Sequence, residues 1–417
     1  MRPFDYAKTT VEAPLPYLIS WNITKRCNLK CAHCYLDASE LEGRGETSTE
    51  EAKRVIAEIA SLNPSSMLIL TGGEPLLRPD CFELAAEASS KGLMVVIGTN
   101  GTLLDDNIAA KLIDGGVKGV GISLDSTTPS YHDRFRGVEG AWNKTVFGIE
   151  ALKRRAVPFQ LQLTVTKENR EDIPRIIEFA REKGAKAINI FFLVCTGRGQ
   201  DMTDLSPQEY EETMTCLASA EKEFEDRIMV RARCAPHFLR VVAGLNPESG
   251  IVKGHTSGCI AGSGYLRITP DNEVTPCPYM PATGASLRTK SLKDIWNNEP
   301  AFRALRTRDY SGKCRDCEFS GACGGCRARA LSSGNTLMGE DPWCVYEPAG
   351  KKQNVVMKGL PASAGTEWTK EAQERLSAVP AFLRQMVKNG VEKYAASKGL
   401  KTITPDIMAE IKKRASR

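Results

Sequence analysis

Between residues 17 and 194 short apolar, β-branched runs alternate with amphipathic stretches whose apolar positions recur every three to four residues. This is the pattern of successive βα units. The runs YLISWNI, MLILTG, LMVVIGTN, GVGISLD, FQLQLTVT and INIFFLV predict six strands. After the first of them, Ser48 to Glu51 opens EAKRVIAEIASL with capping-box spacing, in which a serine and a glutamate three residues on satisfy each other's free N–H. Six units are too few to close an eight-stranded barrel. The fold expected is therefore α/β, a partial (β/α)6 parallel barrel working at the carboxyl end of its strands.

A polar helix-like segment, SPQEYEETMTCLASAEKEFEDR, follows the barrel. Beyond it lies a Cys- and Gly-rich stretch with too little periodicity for a large core, expected to depend on metal for its fold. The chain then turns rich in Gly, Ala and Lys before a helical end, where Phe382, Leu383, Met386 and Val387 mark an apolar face. Thr404 and Pro405 suit the N-cap and first residue of a closing helix. The organisation expected is an N-terminal extension over 1–16, the barrel over 17–204, a bridging helical segment over 205–254, a metal-cluster domain over 255–348, a linker over 349–366 and a small C-terminal helical domain over 367–417.

Composition narrows the class. A chain of 417 residues with 41% hydrophobic and 26% charged residues folds, and into more than one unit. Its net charge of +5 comes from 56 basic and 51 acidic side chains without a dense basic block, which argues against a nucleic-acid partner. No apolar run approaches the roughly 20 residues that span a bilayer, and MRPFDYAKTT lacks the pattern of a signal peptide, so a cytoplasmic protein with no membrane partner is expected. In reducing cytosol, 14 cysteines point to metal rather than to disulfides.

Cys27, Cys31 and Cys34, in CNLKCAHCY, come directly after the first strand. Three thiolates so spaced can hold three irons of a cubane and leave the fourth open, whereas a structural zinc site, the alternative, wants four ligands. The spacing CxxxCxxC at this place resembles the signature of the radical S-adenosylmethionine (SAM) superfamily. The resemblance implies a 4Fe-4S cluster, SAM chelated to its open iron, an electron donor such as ferredoxin or flavodoxin, and reductive cleavage of SAM to a 5′-deoxyadenosyl radical. His33 then borders the adenine. Gly72, Gly73, Glu74 and Pro75 are similar to the family's GGEP motif, which meets the methionine amino group, and glycine suits a backbone that must approach a ligand closely. Thr99 and Asn100 of GTNG, and Ser123 and Asp125 of SLD, end the third and fourth strands, where related enzymes contact ribose and the methionyl group. Arg136 is a candidate for the methionine carboxylate, with a solvated surface arginine as the alternative.

Seven cysteines downstream are similar to the SPASM domain of the same superfamily, which carries auxiliary 4Fe-4S clusters. Carried over by position, Cys314, Cys317, Cys323 and Cys344 close one auxiliary cluster, and Cys259, Cys277 and Cys326 hold another with one place open. Two departures leave one or two such clusters open. Asn272 stands where glycine is usual, though it tolerates a left-handed turn, and Cys323 and Cys326 are separated by two residues where three are commoner. Zinc remains the alternative for the CxxC pairs. Of the other cysteines, Cys81, Cys195 and Cys216 read as small buried hydrophobes, while Cys234 and His237, on a short proline turn, read first as structural residues, with completion of the open cluster or ligation of iron in a substrate as the alternatives.

The runs CAPHF, GCIAGSGYLRITPDNEVTPCPYMP, GACGGCRARA and EDPWCVYEP are similar to the haem-biosynthesis branch of the superfamily, and the last fifty residues resemble a helical domain of a protochlorophyllide reductase subunit. Both imply an iron tetrapyrrole as small-molecule substrate, with a carboxylate side chain altered or removed. Arg134, Arg136, Arg198, Arg233, Arg327 and Arg329 are candidate partners for its carboxylates. The alternative is a maturase of a ribosomal peptide, against which stands the lack of a peptide-recognition segment before Tyr17. A non-enzymatic iron-sulfur or haem-carrying scaffold would need none of the motif at Gly72 to Pro75.

Overall fold

The computed structural model describes residues 14–38, 43, 46–200, 202, 205–225, 227–253, 258–349, 367–377, 387–388, 391–392, 394–395, 398 and 400–415. Strands form where the apolar runs predict them: β1 (Leu18–Thr24), β2 (Met67–Gly72), β3 (Met94–Thr99), β4 (Gly119–Ser123), β5 (Phe159–Val165) and β6 (Ala187–Phe192). They pair in parallel in chain order. The connections carry α1 (Thr49–Leu62), α2 (Cys81–Ser90), α3 (Asp106–Asp114), α4 (Pro129–Arg136), α5 (Ala141–Arg154) and α6 (Ile173–Lys183). The partial parallel barrel is thus present.

The sheet is wider than six strands. After α7 (Pro207–Glu223), β7 (Met229–Arg233) adds in parallel to β6, and is followed by α8 (Phe238–Leu245). β8 (Tyr265–Ile268) adds in parallel to the other edge, at β1, and β9 (Val274–Thr275) runs antiparallel to β8. The order is β7-β6-β5-β4-β3-β2-β1-β8-β9. A strand therefore lies in the segment expected to be helical. The Cys-rich stretch, expected to rely on metal, also buries Leu266, Ile268 and Val274 in the barrel's core.

Register sorts the side chains onto two faces. Outward positions such as Ile19, Trp21, Leu68, Leu70, Ile97, Ile122, Leu161, Leu163, Ile188 and Ile190 are buried under the helices in one core. Inward positions are Ser20 and Asn22 on β1, Gly121 and Ser123 on β4, Gln160 and Gln162 on β5, Asn189 on β6, Arg231 and Arg233 on β7, and Arg267 on β8.

The capping box expected at α1 is half formed. Ser48 accepts from the Glu51 N–H at 3.3 Å, but the Glu51 carboxylate takes the Asn272 amide at 2.8 Å, so it ties the Cys-rich stretch to the barrel. A complete box caps α7, where Ser206 and Glu209 each bond the other's N–H. Asn272 adopts the left-handed conformation expected of it, with φ of 63°.

Of the cysteines read as buried, Cys81 is, Cys195 is half-buried with its thiol on the Met202 carbonyl, and Cys216 is exposed. Cys216 falls opposite the face of α7 that buries Tyr210, Met214 and Leu217, and that face, not the residue type, decides. At the C-terminal end Ala372, Leu376, Val391, Ala395, Ile403 and Met408 form a small core of their own, with Val387 against it and a closing helix Pro405–Ala415. Phe382, Leu383 and Met386, and nearly all of the linker, lie outside the described residues.

Candidate active site

Past the end of β1 the chain turns into the loop that carries Cys27, Cys31 and Cys34. Cys27 and Cys31 are buried with Leu29, Ala38 and Ala141, and Cys34 packs against the same group. Burial pushes the Cys27 thiol up to about 12, with the neighbouring Cys31 and Cys34 adding to the rise. The loop is held by the end of β2. The N–H groups of Gly73 and Glu74 donate to the carbonyls of Thr24 and Arg26 at 2.9 and 2.7 Å. A Cβ on Gly73 would stand 2.2 Å from the Arg26 carbonyl oxygen, and one on Gly72, whose φ is 142°, 2.4 Å from that of Thr24. The close approach that calls for glycine is thus made to the cysteine loop itself, where the sequence suggested a ligand.

Glu74 is fully buried. Its carboxylate accepts from Thr99 Oγ1 at 2.8 and 2.9 Å, from the Asn100 N–H at 2.8 Å and from the Leu76 N–H at 3.1 Å. Burial pushes it up to about 7 against these bonds. Glu74 therefore clamps the ends of β2 and β3, and Pro75 opens a short 3-10 turn behind it. Asn100 continues the brace, its amide donating to Asn28 Oδ1 at 2.9 Å in the cysteine loop.

On the other side of the loop Asp125 and Arg136 form a buried pair with Nε to Oδ2 at 2.6 Å, and Arg136 Nη1 points at Cys31 Sγ at 3.6 Å. Burial alone would raise Asp125, but the Arg136 guanidinium and the neighbouring His132 override it and hold the carboxyl below its usual range. Arg136 is 7% exposed, which rules out the solvated-surface alternative. His33 stacks on Phe135 with ring centres 4.4 Å apart. Burial pulls His33 down to about 3, so it is neutral at pH 7, and its Nδ1 is buried without a hydrogen-bond partner. Ser123 is half-buried on the inward face beside Gln162.

The downstream thiols fall into two groups of four. Cys326 is buried with Val194, Ala261 and Met280, and Cys234, Cys259 and Cys277 pack against that group. Cys314, Cys317, Cys323 and Cys344 line one cavity together with Arg240 and Lys313. Cys234 thus joins the three-cysteine set, and does so in a left-handed backbone, with φ of 57°, that a non-glycine residue adopts at a cost. Arg329 holds the Cys234 carbonyl at 3.0 Å and Asp341 at 3.0 Å, and the same Asp341 oxygen accepts the Cys326 N–H at 2.8 Å. One buried ion pair therefore fixes two cysteines from distant parts of the chain. His237, the alternative to Cys234, lines the cavity of the other four thiols, its Nδ1 3.0 Å from the Tyr210 hydroxyl and its buried Nε2 without a hydrogen-bond partner.

Among the described residues no three His, Cys, Asp or Glu side chains are drawn around a single metal ion. The fit to iron-sulfur clusters rests instead on the donor sets. One loop offers three thiols beside a buried, unpartnered imidazole nitrogen, and two groups offer four thiols each. Burial raises Cys27, Cys234, Cys277, Cys314, Cys317, Cys323, Cys326 and Cys344 alike, so metal taken up there displaces protons.

Residues 21–180 match the family model of the radical SAM superfamily, residues 259–318 that of an iron-sulfur cluster-binding domain, and residues 368–412 that of the proto-chlorophyllide reductase 57 kD subunit. An AdoMet-dependent heme synthase of Methanosarcina barkeri is 41% identical over 346 residues, which cover 81% of this chain and 98% of that protein. The chain belongs to the radical SAM superfamily. An Fe-coproporphyrin III synthase of the same organism is 31% identical, over 78% of this chain and 87% of its own length. Peptide cyclases and a maturase are more distant relatives. Among solved structures, Streptococcus suis SuiB bound to S-adenosylmethionine superposes with a TM-score of 0.65 over 80% of this chain and 78% of its own, at 17% identity, a likeness of fold. Among the described residues no helix is long and apolar enough to cross a membrane.

Within this radical SAM barrel the candidate arginines separate. Arg134 is exposed and pairs with Glu168, Arg136 with Asp125, Arg198 with Asp37, and Arg329 with Asp341. Arg327 is buried on the carbonyls of Leu337 and Gly339. Among the described residues Arg233 alone of the six has a neutral group, Asn189 at 2.9 Å, as its sole side-chain hydrogen-bond partner. Sequence reasoning missed Arg231, which stands on the same inward face. The signal was the alternation MVRAR, charged at every second position of a strand whose other side is core.

Proposed function

We propose that this radical SAM enzyme modifies a carboxylate side chain of an iron tetrapyrrole in haem-type cofactor biosynthesis. One observation carries the reading: 98% of the length of the Methanosarcina barkeri AdoMet-dependent heme synthase is matched at 41% identity. Cys27, Cys31 and Cys34 hold the SAM-cleaving 4Fe-4S cluster in this reading, and the two groups of four thiols, the first completed by Cys234, hold auxiliary clusters. When bound, the cluster and SAM supply an electron and a 5′-deoxyadenosyl radical.

The chain's own residues contribute position and exclusion. His33, neutral, stacked on Phe135 and with its Nδ1 unpartnered, would border the adenine. Arg136 places positive charge beside Cys31 and is itself neutralised by Asp125, so the loop's charge stays low. The Glu74 clamp fixes the β2 and β3 ends against the loop, which keeps the thiols at one geometry. Removing CO2 from a carboxylate side chain after hydrogen abstraction leaves one electron over, so a nearby acceptor is required, and the clusters that the auxiliary thiols would hold suit that place. A cytoplasmic ferredoxin or flavodoxin suits the supply of the first electron.

Anaerobic turnover of reduced, cluster-reconstituted protein with SAM and a panel of iron porphyrinoids and peptides, read by mass spectrometry, tests the reading. Loss of about 46 mass units per altered carboxylate from a ring, that of CO2 and two hydrogens, is expected. Product formed from peptides and never from a ring sinks the proposal. Cys27→Ala is expected to form no 5′-deoxyadenosine while keeping the auxiliary iron.

A further inference from the structure

The inward face of the sheet carries positive charge that its own residues leave unbalanced. In the register of β6 and β7, Asn189 stands beside Arg231 and Phe191 beside Arg233. Both arginines therefore share a face with Gln162, while Ala232 between them packs against the core on the opposite side. Arg233 donates through Nε to Asn189 Oδ1 at 2.9 Å, and Asn189 donates in turn to Gln160 Oε1 at 2.9 Å. These partners are neutral. Among the described residues neither Arg231 nor Arg233 forms an ion pair, and no inward position of β1 to β8 is acidic. Asp125, just past β4, is committed to Arg136.

Burial, with the like charge of Arg233 adding to it, pulls Arg231 down to about 9. Two poorly hydrated guanidinium groups two residues apart repel each other, and an anion between them removes both costs. Arg233 keeps its terminal nitrogens and Arg231 all of its donors for such an anion, in the fork that a carboxylate meets with two parallel bonds. Arg267, the third inward arginine, differs. Its Nε is on Asn22 Oδ1 at 2.6 Å, its Nη1 on the Pro278 carbonyl at 3.0 Å, and its plane lies over the Tyr35 ring at 5.2 Å, so it belongs to the wall.

We propose that Arg231 and Arg233 form the subsite that anchors a carboxylate side chain of the ring substrate inside the barrel. The inference rests on the tetrapyrrole reading and deepens it. Cys234 follows Arg233 directly, so the anchored carboxylate lies next to the auxiliary thiols, and a different edge of the ring is left to face the loop of Cys27, Cys31 and Cys34.

The test is an anaerobic absorbance titration of the cluster-loaded protein with iron coproporphyrin III and with its tetramethyl ester, which keeps the ring and hides the carboxylates. The parent is expected to bind the acid more tightly than the ester. In the Arg231→Met, Arg233→Met double variant the acid should bind roughly tenfold to a hundredfold more weakly, while the ester and SAM bind as before. Without ring the double variant should melt no lower than the parent, because two like charges are gone, and it should lose most of the ring-induced rise in Tm. If the parent prefers the acid and the double variant keeps that preference, the subsite is elsewhere and the inference fails while the function stands. Weaker binding of SAM instead of the ring would assign the arginines to SAM and overturn the inference. A parent that binds neither ring overturns the tetrapyrrole reading and the subsite together.

Discussion

The two faces of the barrel sheet are made by alternate residues of the same strands and do different work. Outward, Leu161, Leu163, Ile188 and Ile190 are fully buried under α-helices. Inward, Asn189 links Gln160 and Arg233 by two hydrogen bonds, Gln162 and Arg231 stand beside them, and no acidic side chain stands among the five. A fully buried leucine contributes through area and close packing, so the outward face carries stability. Inward polar groups add little to the core, and uncompensated charge subtracts from it. The inward face is thus kept for what it binds.

The largest effect expected from breaking this division lies outward. Leu161→Ala should lower stability by about 2–5 kcal/mol, seen as a fall in Tm by circular dichroism. Gln162→Ala, its neighbour on the strand, should cost under about 1 kcal/mol. A Gln162 variant that melts lower than the Leu161 variant would overturn the contrast.

The mouth of the barrel gives the next effect. Gly73→Ala puts a Cβ 2.2 Å from the Arg26 carbonyl, and that backbone cannot yield without moving the cysteine loop. A stability loss of about 1–3 kcal/mol is expected. SAM cleavage should fall more steeply than that loss implies, because the loop's geometry and not the fold is what shifts. Equal SAM cleavage by Gly73→Ala and parent at a temperature where both are folded would show that the close approach is dispensable.

How far the sequence foretold these faces depends on where each signal sits. β1 to β6 were legible because each is a short apolar, β-branched run set between amphipathic stretches, a pattern the chain displays openly. β7 was not, because Arg231 and Arg233 make MVRAR look like a solvated edge, and only the pairing with β6 shows that its alternate side is core. β8 hides in four residues, YLRI, within a stretch whose cysteines and glycines drown the pattern. Among the thiols, the grouping of Cys314, Cys317, Cys323 and Cys344 came from the SPASM resemblance, and these four line one cavity. Cys234 was left undecided, because its grouping with Cys326 depends on the tertiary brace of Arg329 and Asp341. Arg136 was undecided too, since a helix end says nothing about the carboxylate that will bury against it.

Cysteines give a smaller and sharper comparison. Cys234→Ala should reduce the iron of reconstituted protein by up to about four per chain and change the low-temperature electron paramagnetic resonance spectrum of the reduced state. Cys216→Ser, on the exposed side of α7, should change neither. Loss of iron from the second variant, or none from the first, would break the assignment of Cys234 to the group of Cys259, Cys277 and Cys326.

The smallest effect is expected at Arg134, which shares its residue type with the inward pair and nothing else. Its guanidinium meets Glu168 at 2.6 Å where the two side chains are 65% and 69% exposed, so water and salt already screen the pair. Arg134→Ala should change stability by no more than about 0.5 kcal/mol. It should also leave the binding of iron coproporphyrin III as it is, because a ring held inside the barrel does not reach the exposed side of α4. Measured beside the Arg231 and Arg233 variants in one titration, it separates a general loss of positive charge from a loss at one place. A drop in ring affinity as large as theirs would mean that long-range attraction, and not a subsite on the inward face, draws the carboxylates.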